Sequence, residues 1–220
     1  MKLFLDSSDL DQIKDVLSKE IVQGITINPS NKESKANYQL HIKEIVDLCR
    51  SYKDGIPLNI RVFAREPESI LAQAIDVSRE FTYDKLSLQI PIGFEALHPI
   101  STLSKTGIHV NSIYCFTAAQ MQCAALCGSK YISLCYDKVA DDEGKPEEIL
   151  FYAKSFVYNN QLECQVIADN VKTSEDMELA WKSGADIVTV NYDVLKQAID
   201  HDKTTEMVAT FLNDFQEWMT

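Results

Sequence analysis

The apolar residues of this chain fall into short continuous runs separated by longer segments of a different pattern. Continuous apolar runs, as opposed to alternating apolar and polar positions, are typical of strands that are covered on both faces in a parallel sheet. Eight such runs predict strands over residues 2–5, 22–26, 58–63, 86–90, 109–114, 131–135, 165–168 and 186–190.

The residues between these runs repeat their apolar positions every three or four residues, which is the spacing of a helix with one buried face. Two such stripes extend from Leu10 to Leu17 and from Tyr38 to Cys49. The same spacing predicts further helices over residues 67–79, 94–104, 117–127, 147–158, 174–183 and 192–201.

Residue types that begin and end helices stand at the edges of several of these segments. Ser8 and Thr117 precede the first and fifth predicted helices and are favourable N-cap residues. Gly107, Gly128 and Gly184 follow predicted helices at the position where glycine most readily ends a helix.

Eight strands that are each followed by a helix are the count of a (β/α)8 TIM barrel, an α/β fold. A doubly wound open sheet is the competing arrangement. However, no GxGxxG motif follows the first strand, and no GxxxxGK[ST] motif occurs in the sequence. Because no linker, internal repeat or low-complexity tract interrupts the pattern, we expect one domain over residues 1–220.

A further amphipathic segment at residues 204–218 follows the eighth helix and predicts a C-terminal arm helix over about residues 203–220. Its apolar stripe consists of Val208, Phe211, Leu212, Phe215 and Trp218. The stripe can either pack on the chain's own barrel or dock on a neighbouring subunit.

The chain is acidic, with 33 acidic and 21 basic residues among 220 and a formal net charge of −12. This balance argues against a nucleic-acid or anionic-membrane partner, because no basic surplus is available to displace counterions. If the natural ligand is an anion, the few basic residues must be concentrated in one place.

The N-terminal segment lacks the apolar core of a signal peptide, and no apolar run is long enough to span a membrane. The six cysteines show no CxxC spacing, and Cys123 and Cys127, four residues apart, have no second ligand pair. We therefore expect a cytoplasmic protein with reduced, structural thiols, no metal and no cofactor.

Polar residues follow or end many of the otherwise apolar strands, which is where a TIM barrel carries its reactive groups. They suggest a pocket at this end of the barrel. In chain order the strand-end positions are Asp6, Thr26, Asn28, Ser30, Arg61, Gln89, Asn111, Ile113, Cys135, Lys138, Asp169, Asn170 and Asn191.

Six sequence segments resemble the small transaldolases and the fructose-6-phosphate aldolases over nearly the whole chain. They are FLDSSDLDQIK from Phe4, GITINPS from Gly24, QIPIGFEAL from Gln89, GIHVN from Gly107, AAQ from Ala118 and DNVKT from Asp169. The resemblance implies a barrel that binds a phosphorylated or sulfonated ketose, and a class I aldolase reaction in carbohydrate (pentose phosphate) metabolism. It also implies a homo-oligomer, a pentamer or decamer assembled through the C-terminal helix.

The family forms a Schiff base through a lysine on the fourth strand, and Gln89 stands at that position. An amide nitrogen is not basic and cannot form the imine, which requires an amine whose lone pair can add to a carbonyl. Removing a nucleophile costs on the order of 10⁶ in rate in other enzymes. We therefore expect ordinary aldol turnover to be lost.

Three other lysines could be considered as a substitute amine. Lys85 lies on the same side of the strand as Gln89 but roughly 13 Å deeper, at about 3.3 Å per residue. Lys172 has a counterpart in active relatives, so it compensates for nothing. Lys138, which matches a phosphate-binding arginine of the family, is the only plausible substitute, and as an ammonium it can still bind the anion.

Other family positions are changed together with Gln89. Arg61 replaces a Glu or Gln that helps to hold the catalytic water, and Ile113 replaces a threonine that shares it, although a one-residue slip would offer Ser112 instead. Cys135 replaces an acid/base tyrosine, and Asn170 replaces a serine that contacts phosphate. These simultaneous changes argue against an engineered Gln89 in an otherwise active aldolase.

The resemblance implies that this chain retains more of the family's ketose-binding residues than of its imine-forming residues. Asp6 is the general acid/base candidate, and Thr26, Asn28, Ser30 and Asn111 are substrate-binding candidates. The pocket is therefore either that of a transaldolase-like enzyme with an unknown present reaction, or that of a lysine-less pseudoenzyme with a binding, regulatory or structural role.

Arg61 and Lys138 make the expected pocket more cationic than the family pattern implies. They can hold an anionic ligand together. In the competing arrangement, Arg61 simply pairs with Asp6 across the barrel mouth and the site is idle.

Overall fold

The computed structural model describes residues 1–28 and 35–219, and side chains of the second helix from residue 38 onward. All eight predicted strands are present and form one closed barrel in sequential order. Each strand is parallel to the next, and the first pairs with the last. The strands are β1 (Lys2–Asp6), β2 (Ile25–Ile27), β3 (Leu58–Arg61), β4 (Leu86–Pro91), β5 (His109–Cys115), β6 (Tyr131–Cys135), β7 (Gln165–Val171) and β8 (Ile187–Val190).

Helices follow every strand, so the predicted (β/α)8 TIM barrel with an additional C-terminal helix is confirmed. The helices are α1 (Leu10–Ser18), α2 (Lys35–Ser51), α3 (Pro67–Glu80), α4 (Leu97–Lys105), α5 (Ala118–Leu126), α6 (Tyr136–Asp141), α7 (Pro146–Asn159), α8 (Ser174–Lys182), α9 (Tyr192–Ile199) and α10 (Asp202–Met219).

The two faces of the strands have different surroundings. Outward residues such as Leu5, Ile25 and Leu58 pack with the surrounding helices in one large core. Inward residues at the end where the strands begin form a separate apolar cluster, which we call the lower layer. It consists of Phe4, Tyr131, Ile167 and Ile187, and the rings of its two aromatic residues meet edge to face with centroids 6.2 Å apart.

Helix α6 is absent from the sequence-based prediction. It has six residues and begins directly after β6, so it is too short to display a helical repeat. Helix α4 begins at Leu97, later than the predicted residue 94, because the backbone N–H of Ala96 closes a turn onto the carbonyl of Gly93 at 3.1 Å.

Of the two expected N-cap residues, one is confirmed and the other is wrong. The N-cap of α1 is Asp9, not Ser8, because its carboxylate accepts the N–H groups of Asp11 at 2.8 Å and Gln12 at 3.1 Å. Thr117 caps α5 as expected, in a reciprocal capping box with Gln120.

The three helix-ending glycines adopt left-handed backbone angles. The φ values are +84° at Gly107, +86° at Gly128 and +99° at Gly184. Glycine reaches this region without the steric cost of a Cβ atom, which explains its use after α4, α5 and α8.

Helix α10 extends the barrel without being covered by it. Every residue of α10 is exposed, so the arrangement in which this helix packs on its own barrel is wrong for this chain. Its rings stack along one face, with Phe211 and Phe215 centroids 6.5 Å apart and Phe215 and Trp218 centroids 6.1 Å apart. Among the described residues, no helix combines the length and apolar character required to cross a membrane.

Candidate functional site

The carboxyl ends of the strands form the mouth of the barrel, and a polar interior lies between this mouth and the lower layer. The strand register pairs Asp6 with Thr26, Arg61 with Gln89, and Gln89 with Asn111, so these side chains share the inward face. Completely or almost completely buried polar residues line this face of the strands: Thr26, Asn59, Ser87, Gln89, Asn111, Ser133 and Thr189.

Several buried polar atoms of this interior have no hydrogen-bond partner within the described protein. They are Asn28 Oδ1, Asn59 Oδ1, Arg61 Nε, Ser87 Oγ, Gln89 Oε1 and Thr189 Oγ1. A buried polar group without a hydrogen-bond partner destabilises the fold by about 1–3 kcal/mol. Several such atoms in one place are therefore rare in native proteins and call for a functional explanation. The interior can therefore offer donors and acceptors to a polar solute.

Asp6 is held at the mouth by Asn28, whose Nδ2 donates to both carboxylate oxygens at 3.0 and 3.2 Å. Burial raises the pKa of Asp6, and the Asn28 hydrogen bond and the positive charges of Arg61 and Lys172 oppose that rise. Thr26 Oγ1 accepts a hydrogen bond from Asn59 Nδ2 at 3.3 Å. The candidate residue Ser30 lies outside the described residues.

Arg61 is oriented by an aromatic ring. Its guanidinium carbon lies 5.1 Å from the ring centroid of Tyr114, within the range of a cation–π contact. Tyr114 has a left-handed φ of +59° at an irregularity of the β5–β6 register, a costly conformation for an aromatic residue. Within the described chain no direct ion pair joins Arg61 to Asp6, which is bonded to Asn28 instead.

Asn111 and Ile113 both face the interior from β5. Asn111 Oδ1 accepts a hydrogen bond from Ser133 Oγ at 2.8 Å, and Ile113 is fully buried opposite Pro91 in the register. The one-residue slip that would offer Ser112 is wrong, because the Ser112 hydroxyl shares a 2.7 Å hydrogen bond with Ser129 on the other side of the strand.

Asp137, which the sequence-based reasoning missed, connects several predicted residues. Its carboxylate accepts hydrogen bonds from Asn170 Nδ2 at 2.6 Å and from the Cys135 thiol at 3.7 Å. It also lies 3.8 Å from Lys138 Nζ and 3.7 Å from Lys172 Nζ. Asp137 belongs to the short helix α6, so its place in the pocket had no signal in the periodicity of the sequence.

The neighbouring carboxylates help to keep both Cys135 and Lys138 protonated. Burial and the carboxylates of Asp137 and Asp169 raise the pKa of Cys135 to about 11, so it remains a thiol at neutral pH. The side chain of Lys138 is 58% exposed and forms an ion pair with Asp141 at 2.9 Å, which raises the pKa of its amine. Lys138 is therefore a charged surface ammonium.

Asp169 is a strand-end residue to which the sequence assigned no role. Burial and the negative charge of Asp6 raise its pKa to about 7, against the lowering influence of Arg61 and of the Asn170 N–H. It shares the inward face with Cys135, its partner in the strand register. An acid that titrates near neutral pH beside a second carboxylate is suited to proton transfer.

Asn191, the last strand-end candidate, has a structural role, because its side chain accepts the N–H of Val194 at 2.8 Å and caps α9. No group of three or more His, Cys, Asp or Glu side chains in residues 1–28 and 35–219 is arranged to hold a metal ion.

Replacing Asp169 with asparagine should remove a pH dependence of stability. Between its ordinary value of 3.8 and about 7, the folded protein retains a proton on Asp169 that the unfolded chain has released. The free energy of unfolding of the wild type therefore falls as the pH rises through this range. We expect Asp169→Asn to exceed the wild type by about 2–4 kcal/mol at pH 8 and to lose this advantage towards pH 4.

Urea unfolding at a series of pH values measures this difference. Asp214→Asn removes the same charge from the exposed helix α10 and is the matched control. Parallel stability curves for Asp169→Asn and the wild type would contradict the assignment.

Comparison with known proteins identifies related sequences across the full barrel. The family model described as Transaldolase/Fructose-6-phosphate aldolase matches residues 3–220. A probable transaldolase of Caldicellulosiruptor saccharolyticus is 32% identical over an alignment of 221 positions, which covers 99% of this chain and 98% of the relative.

Two further relatives carry the same description. A probable transaldolase of Methanococcus maripaludis is 31% identical over an alignment of 222 positions, which covers 100% of this chain and 99% of the relative. That of Carboxydothermus hydrogenoformans is 30% identical over 217 residues, 98% of each chain. The closed barrel, the nearly complete family match and these end-to-end relatives together show that this chain belongs to the transaldolase/fructose-6-phosphate aldolase family.

Proposed function

We propose that this protein binds a phosphorylated or sulfonated ketose in the barrel mouth and does not turn it over through a Schiff base. The observation that carries the proposal is Gln89, an amide that is 1% exposed at the centre of the polar interior. Its Oε1 has no partner among the described residues, so it is available to a ligand hydroxyl. An amide can accept and donate hydrogen bonds, but it cannot form an imine.

The positions of the other lysines support this loss of imine chemistry. Lys85 Nζ donates to the backbone carbonyls of Asp54 at 2.9 Å and Gly55 at 2.8 Å, at the end of the barrel opposite the mouth. Lys138 and Lys172 are near the mouth, but both lie within 4 Å of the Asp137 carboxylate. The carboxylates of Asp141 and Asp137 raise the pKa of Lys138 and favour its protonated amine, which has no lone pair for attack on a carbonyl.

Arg61 is the cation best placed to hold an anionic group. It is confined by the ring of Tyr114, and its buried Nε has no partner within the described protein. A guanidinium matches the oxygens of a phosphate or sulfonate through paired N–H donors. Asp6, Asn28 and Asn111 surround the same interior with groups that recognise hydroxyls.

A transaldolase-like enzyme with a different present reaction is the second candidate function, and the Asp6–Asp169 pair favours it. Burial and the negative charge of Asp6 raise the pKa of Asp169 to about 7. That arrangement could move a proton on a bound ketose without an imine. In either case we expect a cytoplasmic protein of sugar-phosphate metabolism.

Borohydride trapping tests the loss of imine chemistry. With fructose 6-phosphate or dihydroxyacetone, the wild type should give no reduced covalent adduct by intact-protein mass spectrometry. Gln89→Lys should give one, because burial among polar groups lowers the pKa of an amine and frees its lone pair. Gln89→Met is the matched control for a change at this position without an amine.

A stable reduced adduct on any lysine of the wild type would overturn the proposal. Peptide mapping of that adduct would identify the lysine that acts as the amine.

Calorimetric titration with sugar phosphates tests the role of Arg61. Arg61→Ala should weaken binding about tenfold or more, because a hydrogen bond to a charged group is worth about 1.5–3 kcal/mol. Lys138→Ala is the control of equal charge, and its exposed, carboxylate-paired amine should matter less than about threefold. Equal losses for both variants, or no heat of binding with the wild type, would contradict this role.

We also propose that α10 docks on a neighbouring copy of this chain and builds a pentamer or decamer. Its uncovered apolar face supports this proposal, since Phe211 is 66%, Phe215 47% and Trp218 79% exposed within one chain. An exposed apolar stripe of this size is unusual on a monomer and typical of an interaction surface.

Truncation before Thr204 should reduce the particle to a smaller species in sedimentation velocity. Phe215→Glu in the full-length chain is the companion variant, because it places one charge in the aromatic stripe and leaves the barrel intact. An unchanged sedimentation coefficient for both variants would exclude α10 as the assembly element.

A further inference from the structure

The end of the barrel opposite the mouth holds a concentration of positive charge that the family's reaction does not use. A cavity of about 520 Å³ opens there, around the points where several strands begin. Four lysines line it: Lys2, Lys53, Lys85 and Lys130. We call this cavity the lower lysine site.

Three of these four ammonium groups lack a carboxylate partner among the described residues. Lys53 forms an ion pair with Glu20 at 3.0 Å. By contrast, Lys2 Nζ donates to the amide oxygen of Gln165 at 3.3 Å, and Lys85 Nζ donates to two backbone carbonyls. The Gln165 amide oxygen and the two backbone carbonyls are uncharged, so they do not neutralise Lys2 or Lys85.

Lys130 lies beside an imidazole and an aromatic ring. Its Nζ lies 3.2 Å from His109 Nδ1 and 5.8 Å from the ring centroid of Tyr131. Burial and the positive charges of Lys2 and Lys85 lower the pKa of Lys130, and burial and Lys130 in turn lower the pKa of His109. The cations therefore repel each other, and no carboxylate in the described part of the chain lies within 4 Å of Lys2, Lys85 or Lys130 Nζ.

The lysines around this cavity differ from the other lysines of the chain in their surroundings. The chain has 33 acidic residues and 21 basic ones. Elsewhere in the described protein, lysines either have a carboxylate within 4 Å, as Lys19, Lys154 and Lys182 do, or are exposed, as Lys14, Lys43 and Lys105 are. Lys2, Lys85 and Lys130 are partly buried and have no such carboxylate among the described residues. Three partly buried ammonium groups around one cavity favour a negatively charged partner from outside the chain.

We propose that the lower lysine site binds a small, multiply charged anion of the phosphate class. The cavity volume falls within the range of small-molecule sites, about 300–1,000 Å³. Lysine binds phosphate as a point charge, and several point charges around one concavity favour an anion with more than one negative charge. The net charge of −12 repels a long polyanion, whereas a compact anion interacts mainly with the local field.

This site is separate from the mouth. Tyr131 lines the cavity and also belongs to the lower layer, together with Phe4, Ile167 and Ile187. This apolar layer lies between the lysines and the polar interior around Gln89. Binding at the lower lysine site is therefore independent of the proposed ketose binding at Arg61.

Titration with inorganic pyrophosphate at low ionic strength, by calorimetry and by thermal unfolding, tests the proposal. The wild type should bind it saturably, and Lys2→Gln and Lys130→Gln should each weaken binding about tenfold, because each removes one of three unbalanced charges. Lys182→Gln removes the same charge from an exposed pair with Glu178 and should leave the affinity unchanged. Arg61→Ala should also leave it unchanged, which separates this site from the mouth.

The unfolding temperatures of the same variants show whether Lys130 only stabilises the fold and does not bind the anion. Without the anion, Lys130→Gln should unfold at the same or a higher temperature than the wild type, because repulsion with Lys2 and Lys85 is relieved. A lower unfolding temperature for Lys130→Gln, combined with unchanged pyrophosphate affinity, would assign the lysine to the fold and overturn the proposal. So would the absence of saturable binding, or binding lost only in Arg61→Ala.

A parallel titration with a nucleoside diphosphate distinguishes two sources of the same chemistry. Tighter binding than pyrophosphate would identify an organic phosphate ester as the natural ligand. Equal or weaker binding would identify the inorganic anion, and either result supports the site.

Discussion

Closure of the eight-stranded sheet is the constraint on which the other features of this molecule depend. In a closed parallel barrel every strand has one face towards the helices and one towards the axis, and the hydrogen-bond register fixes which residues share each face. The register runs unbroken from β1 through β4 and so assigns Asp6, Thr26, Asn59, Arg61 and Gln89 to the axis. The apolar residues between them form the outer core that holds the helices. The alternation of inward and outward residues along each strand therefore provides both the apolar core that stabilises the fold and the polar composition of the barrel interior.

Two local departures from this regularity shape the mouth. The register shifts between β5 and β6, where Tyr114 takes a left-handed conformation, and between β7 and β8, where Asn170 does the same with a φ of +60°. The first presents a ring to Arg61, and the second directs an amide to Asp137. A residue in a conformation that it disfavours must be held there by the surrounding structure. Irregularities of this kind cluster at functional sites.

Much of the architecture could be predicted from the sequence, because many of its elements leave a local signal. These signals are the short continuous apolar runs, the helical spacing between them, Thr117 and the three helix-ending glycines. The location of Lys85 below Gln89 followed from strand geometry alone. Features that depend on contacts across the barrel could not be predicted in this way. Asp137 lies on a helix of six residues, and its ion pairs and hydrogen bonds involve β6, β7 and α6 together. The pairing of Asp6 with Asn28, and of Arg61 with Tyr114, also depends on side-chain directions that no sequence spacing specifies.

The lower layer has a consequence for how this protein can change over evolutionary time. Phe4, Tyr131, Ile167 and Ile187 form a buried apolar partition across the axis of the barrel. Substitutions on one side of such a partition do not have to be matched by substitutions on the other. The barrel can therefore abandon or acquire a chemistry at one end while selection preserves a different task at the other. A change of reaction at the mouth would therefore leave the opposite end of the barrel unaffected.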